Sequence, residues 1–181
     1  MNLIGNVSIT KDNRTLTSQA IDYYVPSNTG KYTSNGRLED PKNVLTSIVG
    51  EYNFNTDNAV FTNNVDLVNS RDNYVIHTNK LLYNTRTNIA KLVEEAEITS
   101  DENKIITSNG DYNTATEKAN LYVKNGVQPK LFAKDDRTLE GDSIHYDRHT
   151  GEGTAIGNVT VNDPKHHAIL TGGYGYHNET T

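Results

Sequence analysis

The chain of 181 residues contains no cysteine. That excludes a disulfide framework and thiol chemistry, and it suits an extracytoplasmic protein that avoids stray oxidation as well as a cytosolic one. Long hydrophobic runs are also missing. No stretch approaches the roughly 20 apolar residues of a membrane helix, so no membrane-spanning segment is expected. No basic segment leads into an apolar run, so no signal peptide is expected in this chain. Hydrophobic residues make up 34% and mean hydropathy is −0.71, too little apolar material for a thick globular core. Positive charge is in deficit. The net charge of −6 argues against a partner that is a nucleic acid.

What is present is a repeat. Leu or Ile, a small residue two positions on and Tyr seven positions on recur six times: Leu16/Ser18/Tyr23, Leu45/Ser47/Tyr52, Ile76/Thr78/Tyr83, Ile105/Thr107/Tyr112, Leu139/Gly141/Tyr146 and Ile169/Thr171/Tyr176. A spacing near 30 residues is that of a repeat architecture. Each of the first five Tyr is followed by a polar turn such as "NTRTN" or "DRHTGEG". A second strand then opens on Gly or Asn before an apolar residue, as in Gly5-Asn6-Val7, Gly36-Arg37-Leu38, Asn63-Asn64-Val65 and Gly157-Asn158-Val159. Glu94-Glu95-Ala96 and Asn125-Gly126-Val127 fit more loosely.

Within strands the period is two: Val7-Ser8-Ile9, Val65-Asp66-Leu67 and Val159-Thr160-Val161 alternate apolar with polar. Tyr, Val, Ile and Thr suit a pleated surface, and Asn, Asp and Gly suit turns. Ala90 to Ile98 has helical composition, but its place in the repeat marks it as strand. These patterns predict an all-β fold of about twelve strands, with helix below about a tenth of residues. An odd spacing of seven places Leu and Tyr on opposite faces of a regular strand, whereas a bulge near the small residue places them on one; both remain open.

The cycle [LI]-x-[STG]…Y, polar turn, G-N-V-x-[VI] resembles the OstA-like family, the organic-solvent-tolerance domain of the lipopolysaccharide transport proteins LptA, LptC and the amino-terminal part of LptD. Leu139 to Val161 carries the likeness most fully, through Asp142, Ile144, Tyr146, Gly151 and Gly157-Asn158-Val159. The resemblance implies a folded-over antiparallel sheet, a β-jellyroll or β-taco of about six two-strand repeats, with residues 1–181 forming one domain cut from a longer chain. It also implies a periplasmic location, an apolar groove for the acyl chains of lipopolysaccharide or lipid A, and end-to-end pairing with itself or with other Lpt-type proteins through strand edges. No cofactor is implied. The Asn-rich turns and the absence of Gly at Asn63 and Glu94 depart from the family pattern.

The candidate groove residues are the apolar ones of the alternating face: Val7, Ile9, Ile21, Leu38, Val65, Leu67, Leu81, Ala96, Ile98, Val127, Ile144, Val159 and Val161. An ordinary core accounts for the same residues, and the groove of such a fold is its core. Six His invite a metal reading. His166 and His167 point to opposite faces of any strand, and no carboxylate completes a ligand spacing around them or around His77, His145, His149 and His177. No metal is expected. Carboxylates at Asp135-Asp136 and at Glu94, Glu95 and Glu97 read as solvated turn and solvated strand face rather than a glycosidase pair. There is no nucleophile elbow, and "GGYGYH" lacks the Lys of a phosphate loop. The Asn-x-Ser/Thr sites at Asn6, Asn13, Asn158 and Asn178 go unused in a bacterial chain. The leading expectation is a lipid-binding transport module and no enzyme. A structural or glycan-binding β-solenoid of the cell surface is the alternative, and a polysaccharide-cleaving β-helix comes third.

Overall fold

The structure, a computed structural model, describes residues 1–101, 103–133 and 136–178. Its strands are β1 (Asn2–Lys11), β2 (Arg14–Tyr24), β3 (Thr29–Tyr32), β4 (Gly36–Glu39), β5 (Val44–Ser47), β6 (Val49–Asn53), β7 (Asn58–Asn69), β8 (Tyr74–Asn84) and β9 (Ile89–Leu92). They continue as β10 (Ala96–Ser100), β11 (Lys104–Thr107), β12 (Gly110–Asn113), β13 (Lys118–Tyr122), β14 (Lys130–Phe132), β15 (Thr138–Glu140), β16 (Ser143–Asp147), β17 (Glu152–Asp163) and β18 (Ala168–Asn178). Among the described residues the helical content is two three-residue 3-10 turns, Val25–Ser27 and Pro164–His166. β1, β2, β7, β8, β17 and β18 are long and unbroken, and the remaining segments fall into consecutive half-strand pairs. The twelve expected strands are therefore present as twelve rungs.

Two compact units, Met1–Ala90 and Lys91–Thr181, divide the chain. Each is a folded-over antiparallel sheet. In the first unit one wall runs β1–β2–β4–β5–β7–β8 and buries Leu16, Leu38, Leu45, Leu67 and Ile76. The other runs β1–β2–β3–β6–β7–β8 and buries Ile21, Tyr32, Tyr52, Phe61, Leu81 and Tyr83. These inner faces touch: a Cβ on Gly30 of the tyrosine wall would lie 3.1 Å from Leu16 Cδ2 and 3.4 Å from Ile9 Cδ1 of the leucine wall. The second unit repeats the plan. Its leucine wall is β10–β11–β14–β15–β17–β18 and its tyrosine wall β12–β13–β16–β17–β18.

The fold between walls resolves the odd Leu–Tyr spacing. Along β8 the inward residues are Tyr74, Ile76 and Thr78, then Leu81 and Tyr83, so the alternation slips one position just after the small residue. The small residue closes the slip: Ser47 Oγ donates to the Val49 carbonyl at 2.8 Å, Thr107 Oγ1 to the Asn109 carbonyl at 3.0 Å, and Thr78 Oγ1 to the Lys80 carbonyl at 3.4 Å. On the neighbouring strand two residues bulge opposite one, at Gly5-Asn6, Asn63-Asn64 and Gly157-Asn158, all with positive φ. A bulge of this kind bends and twists the strand, and Gly and Asn are the residues that accept that backbone. The second repeat is shifted from the expected frame, because its left-handed corner residue is Asn35 rather than Gly36. Asn125-Gly126 is no corner at all. It is a two-residue hairpin turn with both φ positive, closed by Lys124 and Val127.

The turns after Tyr52, Tyr83, Tyr112 and Tyr146 follow one chemistry, whereas Tyr23 leads into the 3-10 turn Val25–Ser27, which has no side-chain cap. Asn53, Asn84, Asn113 and Asp147 each accept, through Oδ1, the backbone N–H groups two and three residues on. Four positions on, a left-handed residue ends the turn: Asp57, Asn88, Glu117 and Gly151. Such side-chain capping is what Asn and Asp supply in turns.

Tyr32 is 1% exposed and its hydroxyl pairs with Ser47 Oγ at 2.7 Å. Burial pushes the phenol up to about 12, against a smaller opposing effect of the Ser47 bond. In the unfolded chain it ionises near its ordinary value, about 10. The folded pKa is the higher one, so this contribution to stability is intact below about pH 10 and is lost as pH climbs toward 12. The rise from about 10 to about 12 corresponds to roughly 2–3 kcal/mol. Urea midpoints should therefore fall between pH 9.5 and about 12, and Tyr32→Phe should flatten part of that fall. An unchanged alkaline slope in Tyr32→Phe would refute the assignment.

Candidate functional site

The inward faces of the two walls are the candidate site. Of the residues expected to line it, Val7, Ile21, Leu38, Val65, Leu67, Leu81, Ala96, Ile98, Ile144 and Val159 are buried, and Ile9 and Val161 are half-buried. Val7, Ile9, Leu38, Val65, Leu67, Ala96, Ile98, Val159 and Val161 sit on the leucine walls, and Ile21, Leu81 and Ile144 on the tyrosine walls. Val127 stands apart: it flanks the Asn125-Gly126 turn and is 60% exposed.

In the first unit the wall-to-wall mouth is closed by polar groups. Asp57, at the left-handed end of its turn and buried, takes Arg86 Nη2 at 2.5 Å and lies 3.6 Å from Arg14 Nη1. Arg14 Nη2 donates to the Thr85 carbonyl at 2.9 Å, and the Tyr52 hydroxyl pairs with Thr85 Oγ1 at 3.0 Å. Burial raises the Tyr52 pKa, opposed by the Thr85 bond and by Arg14. Further along, the Tyr83 hydroxyl donates to Asp40 Oδ2 at 2.9 Å, and Asn43 Nδ2 donates to Tyr83 at 3.1 Å. Lys11 Nζ donates to the Phe54 carbonyl. Tyr52 and Tyr83 thus place their rings in the core and their hydroxyls at the rim, as amphipathic aromatics do.

The second unit uses the same device: Asn103 Nδ2 donates to the Tyr146 hydroxyl at 2.9 Å. Beside β18 it also keeps a small hollow of about 70 Å³, lined by Leu131, Leu139, Val161, Ala133, Thr138, Arg137, Tyr176 and His177. Leu139, Val161 and Tyr176 make its apolar wall, and Arg137 brings a cation to it. β1 and β18 each pair with a single strand among the described residues, β2 and β17. β18 exposes Ile169, Leu170, Tyr174 and Tyr176.

Sequence reasoning missed Leu131, Leu139 and Tyr176. The last two belong to the recurring frame, but the odd spacing hid which face they share. Asp57, Arg14 and Arg86 were also missed, since only the fold brings residues so distant in sequence together.

The histidines are dispersed. His77 Nδ1 is 2.7 Å from Asp66, His145 Nδ1 is 2.9 Å from Asn120 Oδ1, and His166 Nδ1 is 2.8 Å from Asp163. His149 is exposed on its turn. Among the described residues no three His, Asp or Glu side chains converge as metal ligands. Glu94 and Glu95 are exposed, and Glu97 pairs with Lys104 Nζ at 2.5 Å. Asp136 is exposed on a turn, and Asp135 lies outside the described residues.

No curated protein matches this sequence. The solved structure of LptH from Pseudomonas aeruginosa, the LptA-homologous periplasmic component of its lipopolysaccharide transport device, is similar in fold. It shares 16% identity over 58% of this chain and 75% of that one, with a TM-score of 0.50. The model of the family described as OstA-like protein matches residues 1–74 and 70–133. Those segments cover well over half of the sequence and contain the first four Leu–Tyr frames with their corners. The chain belongs to the OstA-like family.

Proposed function

We propose that this chain is a periplasmic module of lipopolysaccharide transport that holds acyl chains between its two walls. It passes them along a row of such modules joined through strand edges. The observation that carries this reading is the two-walled apolar interior of each unit, which in the second unit ends beside β18 in the hollow of Leu131, Leu139 and Val161. Family membership and the likeness to LptH support it. The reading assigns the chain no catalysis.

The hollow holds about two waters' worth of liquid volume, so a full acyl chain enters only by parting the walls. Inside, hydrocarbon replaces hydrocarbon, and each methylene withdrawn from water contributes about 0.8 kcal/mol. What resists entry is the polar mouth. The sugars stay outside, and Arg137 stands where a phosphate of the head group would arrive. The exposed edge of β18 is open to addition of a partner strand, the common fate of an unprotected edge.

Ile144 and Val159 are 0% and 3% exposed, too deep for a charged probe, since Asp there would unfold the sheet rather than report on lipid. Val161 and Tyr176 are accessible positions at the hollow. A photoreactive phenylalanine at either position should crosslink to lipopolysaccharide in membrane-bearing cells, whereas one at His149 should not. Labelling from His149 with none from Val161 or Tyr176 would overturn the proposal.

A further inference from the structure

A second concavity lies on the outside of the first unit, across the corner between its walls. It encloses about 640 Å³, within the range of ligand sites. Its character is the opposite of the interior. The left-handed corner residues of three successive repeats, Asn6, Asn35 and Asn64, lie along it, with Arg37, Thr46 and Ile48 between them. Asn6 is on β1, Asn35 leads into β4 and Asn64 is on β7, and in the wall these strands are two rows apart. Two rows of sheet are about 10 Å, so the groove presents an amide at regular intervals comparable to a disaccharide unit.

The backbone explains why Asn stands at these corners but not why its amides are unused. Glycine meets the same positive φ. In the second unit the corner residue Asn158 commits its amide to Asp142 Oδ2 at 2.7 Å. Asn6 accepts from Gln19 Nε2 at 2.7 Å. The side chains of Asn35 and Asn64 take no hydrogen bond within the protein among the described residues, and both are exposed to the groove. An amide offers an acceptor and two donors, the complement of vicinal hydroxyls that each donate and accept.

Charge narrows the ligand. The groove's cation, Arg37, is neutralised by Glu39 at 3.0 Å, so nothing concentrates positive charge for phosphates or carboxylates. Ile48, 41% exposed, supplies an apolar patch for the C–H face of a pyranose ring. We propose that this outer groove binds an extended, uncharged oligosaccharide. This is separate from the acyl-chain interior and does not depend on it. The saccharide has two sources, the glycan of a lipid-linked polysaccharide and the glycan strands of a cell wall.

The test is titration of the full chain, amide resonances assigned, with three probes: chitohexaose, maltohexaose, and the delipidated neutral polysaccharide of a lipopolysaccharide. Saturable shifts are expected at Asn35, Asn64, Arg37 and Thr46. Chitohexaose alone points to cell-wall glycan, and the delipidated polysaccharide alone to the lipid-linked source. Asn35→Gly with Asn64→Gly preserves the left-handed backbone and removes both amides. It should weaken binding about tenfold or more, the equivalent of two ordinary hydrogen bonds, with the thermal midpoint retained. Absence of shifts at these residues with all three probes overturns the proposal. So does unweakened binding by a folded double variant, and if that variant unfolds, Asn64→Gly alone carries the same comparison. Lipid crosslinking at Val161 reads the interior independently, so either result stands if the other fails.

Discussion

Gly50→Ala is expected to destabilise the first unit by about 3 kcal/mol, the upper end of overpacking costs, although it adds a single methyl group. The Tyr32 ring lies against the backbone of Gly50 on β6 and of Gly36 on β4. A Cβ on Gly36 would sit 2.5 Å from the ring, and one on Gly50 would meet its Cζ and hydroxyl at least as closely. Neither glycine is there for a positive φ. Both are there because an aromatic ring occupies the place of their side chains. Tyr32 has no room to retreat, being 1% exposed and held by Ser47. Tyr32→Ala alone should cost about 3–5 kcal/mol through the cavity it leaves. In the double variant the added methyl occupies part of that cavity, so the two losses should sum to more than the double variant shows. Urea unfolding of the four proteins measures the cycle. Additive losses, or a Gly50→Ala protein within about 0.5 kcal/mol of the parent, would refute this account of the packing.

The same pair shows what the sequence made legible. The Tyr frame, the Asn or Asp after it and the Gly-Asn or Asn-Asn corners all act within a few residues of themselves, through side-chain capping and left-handed backbone. Their signal therefore survives in one chain read alone. It gives the all-β class, the twelve rungs, the turns and the strand state of Ala90 to Leu92 and of Ala96 to Ile98, which a bend at Glu94 separates. The Tyr32 packing is different in kind. Nothing local distinguishes Gly50 from a turn glycine, because the reason for it comes from a ring on β3 that reaches it only once β3 and β6 pair.

Corner geometry is intermediate. Val7, Val65 and Val159 follow a bulge and are buried, whereas Val127 follows Asn125-Gly126 and is exposed, although the tripeptides look alike. The difference is length: between Tyr122 and Lys130 the chain makes an extra two-residue hairpin, so the Asn-Gly pair closes a turn instead of bending a strand. A pattern of residue types carries no record of that excursion. The Leu–Tyr spacing was ambiguous for a related reason. The slip that puts both residues inside is a joint property of two neighbouring strands, fixed by the small residue of one and the bulge of the other.

Asp57 is the extreme case of long-range determination, and its substitution should have the largest electrostatic effect. Its carboxylate is 5% exposed between Arg14, 18% exposed, and Arg86, 69% exposed. Asp57→Asn keeps a residue tolerant of the left-handed backbone at φ 58°, so the change isolates the charge. With the carboxylate gone, the guanidinium of Arg14 stays largely out of water with the Thr85 carbonyl as its remaining partner, and an amide N–H must face one of the two cations. Removing one member of a buried pair costs about 3 kcal/mol or more. Asp57→Ala should add roughly 1 kcal/mol for backbone strain. Arg86→Ala is the control, because its guanidinium is mostly solvated and exposed pairs contribute under about 1 kcal/mol. The order expected from chemical denaturation is therefore Asp57→Ala, then Asp57→Asn, then a small effect of Arg86→Ala. An Arg86→Ala loss equal to that of Asp57→Asn would show that the surface arm, not the buried one, holds the mouth. On the proposed entry of acyl chains by parting the walls there, Asp57→Asn should also raise crosslinking of lipid to the first unit when a probe is placed at the half-buried Ile9. A mouth that is not the entry route would leave that crosslinking unchanged.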